Sequence, residues 1–171
     1  MNDNFENVVK FTLNNEKART NDPNDIGGLT IWGFASRYWP TEVNLMKTMS
    51  PEDAKKRAVE LYYNNYWFTG GCNLLPILSS QVHFDACVNP GLGAAIKFLQ
   101  IVVGAKEDGS LGPNTRKLID AYVKSPSFND KDLAVRLVEL RERYYKDKNN
   151  IRYVHGWLNR CKDLKLFLKL V

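Results

Sequence analysis

Glu16, Asp22 and Asp25 are the residues whose types and spacing come nearest to chemistry in this sequence. They lie in NNEKARTNDPNDIGGLT, residues 14–30, where acids, asparagines, a proline and the adjacent Gly27 and Gly28 crowd between two apolar segments. Two carboxyl groups in unlike surroundings suit the cleavage of an acetal such as a glycosidic bond. One stays protonated beside the leaving oxygen, and the other stabilises an oxocarbenium-like centre or activates water. Glu16 suits the first part: it falls on the last turn of a predicted helix, facing the negative end of the macrodipole. Burial against Leu13 and its neighbours would further penalise its charged form, while Lys17 pulls the other way. Asp25 suits the second part, in a polar loop where the backbone NH groups of Gly27 and Gly28 can keep it ionised, with Thr30 available to orient a water. The same residues also read as an exposed helix end followed by Asx turns at Asp22 and Asp25, and spacing alone does not choose between the two.

Other chemistries find less support. His83 and His155 stand far apart, with no recognisable ligand pattern around either, so no metal is expected. Cys72, Cys87 and Cys161 show no CxxC spacing and are read as reduced, buried thiols. There is no GxSxG elbow, no GxGxxG and no Walker loop, so neither a serine nucleophile nor a nucleotide cofactor is indicated, and no cofactor is expected. Trp32, Tyr38, Trp39, Tyr66 and Trp67 flank the acidic loop in sequence. Their flat rings could line a groove for pyranose faces or belong to the core. Asp85 and Asn89, four apart on one helix face, are either a buried polar network or a set of substrate contacts.

The elements that must position these residues are mainly helical. Phe5, Val8, Val9, Thr12, Leu13 and Glu16 recur at steps of three and four and predict an amphipathic first helix. Residues 20–33 are a loop, with a short hairpin through GGLTIWGF. Ser50-Pro51-Glu52-Asp53 supplies an N-cap and a first-turn proline for a helix running toward Trp67. A helix carrying Val82, Asp85, Ala86 and Asn89 stops near Pro90, and the next runs from Leu92 to Gly104. Another starts at Pro113, and Asn129 with Asp132 caps the longest, striped by Leu133, Leu137, Leu140 and Tyr144. A basic, aromatic segment closes the chain. Six or seven helices with little strand predict a mainly α fold, without repeats.

A chain of 171 residues with 44% hydrophobic and 12% aromatic content can build one self-sufficient core. No apolar run reaches the ~20 residues that span a bilayer, and the first residues lack the pattern of a signal peptide, so synthesis in the cytoplasm is expected. A net charge of +5 favours encounter with polyanions, of which nucleic acid and an anionic cell wall both qualify. No basic helix with base-reading spacing and no RNP sequence is present, so nucleic acid is not an expected partner.

Taken together, Glu16, Asn21-Asp22-Pro23, Asp25, Gly27-Gly28, Thr30 and Gly33 resemble the signature of the glycoside hydrolase family 108 muramidases. FDACVNPG at 84–91 is similar to that family's FDxxxNxG helix, and NNYW at 64–67 to its YW. DGSLGPNT, and RYYKDKNNIRYVHGWLNR further on, resemble the C-terminal segment known as a peptidoglycan-binding domain. The family usually has two glycines directly after its glutamate; Lys17 and Ala18 stand there here. The resemblance implies a lysozyme-like fold that hydrolyses the β-1,4 bond between N-acetylmuramic acid and N-acetylglucosamine in peptidoglycan, as a phage endolysin or a bacterial cell-wall enzyme. Glu16 is then the general acid, Asp25 and Thr30 complete the catalytic set, and Asn21, Asp22, Trp39, Tyr66, Trp67, Asp85 and Asn89 contact substrate. It also implies a catalytic segment, residues 1–98, and a peptidoglycan-binding-like segment, 99–171, joined in one compact, monomeric unit that reaches the wall by a holin, another export route or cell lysis. A lytic transglycosylase and a non-catalytic wall-binding protein on the same scaffold are the alternatives.

Overall fold

The computed structural model describes residues 3–16, 18–20, 27–148 and 150–171. Lys17, Asn21, Asp22, Pro23 and Asp25 lie outside the described residues. The chain divides into two units, Met1–Asn64 and Asn65–Val171. The expected division at residue 98 instead falls inside a single helix, Leu92–Val103. A continuous ladder of i→i−4 hydrogen bonds leaves no hinge there.

In the first unit, α1 (Asp3–Asn15) buries Phe5, Val8, Val9, Phe11, Thr12 and Leu13, the expected face widened by Phe11. Three two-residue strands follow, β1 (Arg19–Thr20), β2 (Thr30–Ile31) and β3 (Phe34–Ala35), in a three-stranded antiparallel sheet of order β1-β2-β3. The register sets Thr20 opposite Thr30 and Ile31 opposite Phe34. The β2–β3 hairpin is the one expected in GGLTIWGF; β1 carries no local strand signal. Helix α2 (Pro40–Thr48) was also not foreseen. It starts on Pro40, whose ring fixes φ for a first helical turn, and buries only Val43 and Met46. Helix α3 (Pro51–Tyr62) starts as SPED predicts, with Ser50 Oγ accepting from the Asp53 backbone NH at 3.1 Å. A two-pronged ion pair from Arg57 to Glu42, 2.7 and 2.9 Å, ties α3 to α2.

A π-helical stretch, Tyr63–Phe68, spans the division between the units. In the second unit a 3₁₀ turn (Cys72–Leu74) leads to α4 (Ile77–Val88), α5 (Leu92–Val103), α6 (Pro113–Val123), α7 (Asp130–Asp147) and α8 (Ile151–Phe167). Helix α4 is the axis of this unit: every residue from Ser79 to Cys87 is buried. Its N-terminus is capped from α7, since Asp130 accepts from the Leu78 and Ser79 backbone NH groups at 2.7 and 3.0 Å. Ser80 and Gln81 donate to the Ile77 carbonyl one turn back.

Asp85, with no exposed surface, is the polar centre of the unit. It binds Arg141 of α7 at 2.6 Å and Arg160 of α8 at 2.7 Å. Burial opposes its charge, but the two guanidinium groups outweigh it and hold the carboxyl below its ordinary range. Gln100 on α5 plays a similar part for the DGSLGPNT turn. Its amide donates to Asp108, the Ser110 carbonyl and Thr115, and its carbonyl accepts from the Gly109 NH at 2.9 Å. These motif residues thus hold a turn and start α6.

Asp85→Asn would leave the buried Arg141 charge without its counter-ion. Removing one partner of such a pair costs about 3–5 kcal/mol, to be read by chemical denaturation at pH 7. Because the folded carboxyl is held below its unfolded value, its contribution is present above the usual carboxylate range and is lost as pH falls through the folded value. Wild type should therefore lose stability in acid more steeply than the variant. Equal denaturation midpoints at pH 7 would contradict this role of Asp85.

Candidate active site

Glu16 directly follows the last residue of α1, and its backbone NH donates to the Leu13 carbonyl at 3.2 Å. The side chain is half-buried and lies against the turn of the β2–β3 hairpin: a Cβ at Gly33 would come within 3.2 Å of Glu16 Cδ and would collide with the Tyr62 hydroxyl. That turn is Trp32-Gly33, with φ of +48° and +87°. A two-residue hairpin loop with both residues at positive φ matches the right-handed twist of the strands, and glycine suits its second position. Trp32 pays a conformational cost that its neighbours offset. Its NH donates to the Ala18 carbonyl at 3.3 Å, its carbonyl accepts from Tyr62 Oη at 3.0 Å, and Lys55 Nζ sits 5.4 Å from its ring centroid.

The turn therefore joins Glu16, from the end of α1, with Tyr62, from the end of α3. Phe34 continues the assembly, packing on Tyr62 at 4.8 Å and edge-to-face on half-buried Trp39 at 5.2 Å. Thr30 lies in β2 of the same hairpin, and its hydroxyl faces the Gly28 carbonyl at 3.5 Å. Gly27 and Gly28 are tied to the far end of the hairpin, where Arg37 NH and Ser36 Oγ both donate to the Gly27 carbonyl. Of the expected site residues in this unit, the structure sets Glu16, Thr30 and Trp39 around one hairpin. Asn21, Asp22 and Asp25 lie outside the described residues. Tyr62, absent from the expected set, touches the same turn from the end of α3.

The remaining candidates are in the second unit. Tyr66 is half-buried, and burial pushes its hydroxyl above the ordinary tyrosine range. Asn89 is exposed and donates to the Asp85 carbonyl at 3.2 Å. Beside it a small cavity of about 140 Å³ is lined by Pro90, Tyr144, Tyr145, Lys148 and Trp157. Two expectations are corrected. Trp67 is 1% exposed and packs on Phe84, so its ring belongs to the core and has no face to offer a sugar. Asp85 is fully enclosed by its arginines, so it is a structural ion pair and not a substrate contact.

Residues 9–91 match the family model of glycosyl hydrolase 108. The match runs from within α1 to the residue before α5 and so contains Glu16, the hairpin, Tyr62 and all of α4. It is a match to a family of glycosidases. Among solved structures the chain is similar to that described as "Structure of Brucella abortus SagA", with 22% identity and a TM-score of 0.74, over 96% of this chain and 92% of that one. This likeness establishes a mainly α, lysozyme-like fold. No curated protein matches the sequence.

The packing at the turn predicts an order of effects. Gly33→Ala forces a side chain into a left-handed position and against Tyr62 and Glu16, at about 1–3 kcal/mol. Tyr62→Phe removes only one hydrogen bond, about 0.5–1.5 kcal/mol. Denaturation curves of both variants measure this, and a Gly33→Ala protein as stable as wild type would refute the described contact.

Proposed function

We propose that the protein is a peptidoglycan hydrolase, an N-acetylmuramidase that cleaves the β-1,4 bond between N-acetylmuramic acid and N-acetylglucosamine. The observation that carries this reading is Glu16 itself: a half-buried glutamate at the end of α1, packed on the Trp32-Gly33 turn, inside the span that matches the glycosidase family.

In this reading Glu16 protonates the glycosidic oxygen as the bond to the anomeric carbon breaks. Asp25 stabilises the cation that develops or polarises the attacking water, and Thr30 helps to position that water. Asn21, Asp22, Trp39, Tyr66 and Asn89 supply contacts along the glycan. Ala18 is exposed while its carbonyl takes up the Trp32 NH, so a side chain is accommodated where the family usually has glycine. The C-terminal helices add affinity for the wall, a role that suits the stacked rings of Tyr153 and Trp157 on α8, 5.9 Å apart, with Tyr153 exposed. The net charge of +5 favours encounter with an anionic wall, where the enzyme acts.

Glu16→Gln keeps the size of the side chain and removes its proton, so clearing of a purified peptidoglycan suspension should fall by on the order of a hundredfold or more. Mass analysis of the wild-type products should find reducing ends. Near-wild-type clearing by the variant would remove Glu16 from the chemistry. Products ending in 1,6-anhydro sugars would assign a lytic transglycosylase, and wall binding without any product would assign a non-catalytic binder.

A further inference from the structure

We propose that Cys72, His83 and Cys87 form a binding site for a thiophilic divalent cation, zinc first among them, in the interior of the second unit. The three candidate ligand atoms lie within 4.8 Å of one another. Helix α4 sets His83 and Cys87 four residues apart, on the same face one turn from each other. Cys72 enters from the 3₁₀ turn that precedes the helix, where Gly71 at φ +73° turns the chain inward.

One edge of the cluster has the length a metal tetrahedron requires. With Zn–S of about 2.3 Å and Zn–N of about 2.1 Å, a tetrahedral S···N edge is about 3.6 Å and an S···S edge about 3.8 Å. Cys87 Sγ lies 3.6 Å from His83 Nε2. The Gly70 carbonyl oxygen is 3.0 Å from the same nitrogen, at the edge of the cluster. Gly70 must be glycine for this approach, because a Cβ would run into Cys87 Sγ and the Tyr66 carbonyl.

Charge also fits a divalent cation. All three side chains are buried, at 0, 1 and 0% exposure, and an uncompensated charge there would be costly. Two thiolates and a neutral imidazole around a divalent ion sum to zero. Binding releases one proton from each thiol to solvent. His83 ligates as the neutral ring, with its Nε2 lone pair on the metal and its proton on Nδ1. Soft sulfur donors with one imidazole select zinc or copper(I) over magnesium or calcium. A closed site with no room for substrate makes the ion structural: it fastens the turn at Gly70–Leu74 to α4. This does not depend on the glycosidase reading.

The test uses the full chain, reduced and freed of metal by a chelator, titrated with cobalt(II) and then with zinc. One equivalent of cobalt should produce a thiolate-to-metal charge-transfer band in the near ultraviolet and visible d–d bands of tetrahedral geometry, and zinc should bleach both. Zinc at a hundredfold excess over its dissociation constant should raise the unfolding midpoint by about 5–10 °C. Cys87→Ser and His83→Gln should lose or markedly weaken the bands, whereas Cys161→Ser keeps them. The wild-type titration needs no variant to fold. Reduced wild type that shows no charge-transfer band and no zinc-dependent shift in its unfolding midpoint overturns the proposal, as do bands that persist in Cys87→Ser.

Discussion

Helix α4 is enclosed on every side, so its polar groups that are not satisfied within the helix have to find partners on other elements. That constraint organises the second unit. Asp85 draws in Arg141 and Arg160 and so fixes how α7 and α8 lie on the helix. The Leu78 and Ser79 amides take Asp130, and His83 reaches back to the Gly70 carbonyl. An all-apolar α4 could bury as much surface, but it would tolerate rotation about its axis. Each of these bonds is satisfied at only one rotation, so burial supplies the driving force and the polar residues supply the register.

The first unit relies on a different device. Its sheet is only two residues wide at each strand, too small to be stable by itself. It persists because its turn is gripped from outside, by the tail of α1 through Ala18 and Glu16 and by the end of α3 through Tyr62. The residue proposed to donate a proton is thus part of what holds the hairpin. The placement of Glu16 and local stability come from the same contacts, and a change at Gly33 disturbs both.

Much of this was legible along the chain wherever the signal was local. Ser50, Pro113 and Asn129 announced helix starts by capping and proline chemistry, and Gly104, at φ +70°, announced a stop. The hairpin showed in its glycines. What escaped was carried by distance. Nothing near Asp85 points to Arg141 or Arg160, which are 56 and 75 residues away, so its burial looked like a possible sugar contact. Trp67 was equally ambiguous, since an aromatic ring has the same local signature in a groove and in a core. Tyr62 reaches Gly33 across 29 residues, out of range of any periodicity. The spacing of His83 and Cys87 is visible in HFDAC, but its third member, Cys72, approaches only through the turn at Gly71. Asp25 rests on the sequence alone.

The two arginines on Asp85 also carry a consequence for the order of events during synthesis. Helix α4 emerges from the ribosome long before Arg141 and Arg160 do, and until they arrive its central carboxylate has no counter-charge and its enclosing helices are missing. Closing such long loops delays the second unit until α8 has been made. The first unit, whose contacts span fewer residues, can assemble earlier. A nascent chain that stalls before α8 exposes an apolar helix with a bare acid at its middle, and recognition by chaperones would be concentrated on that segment.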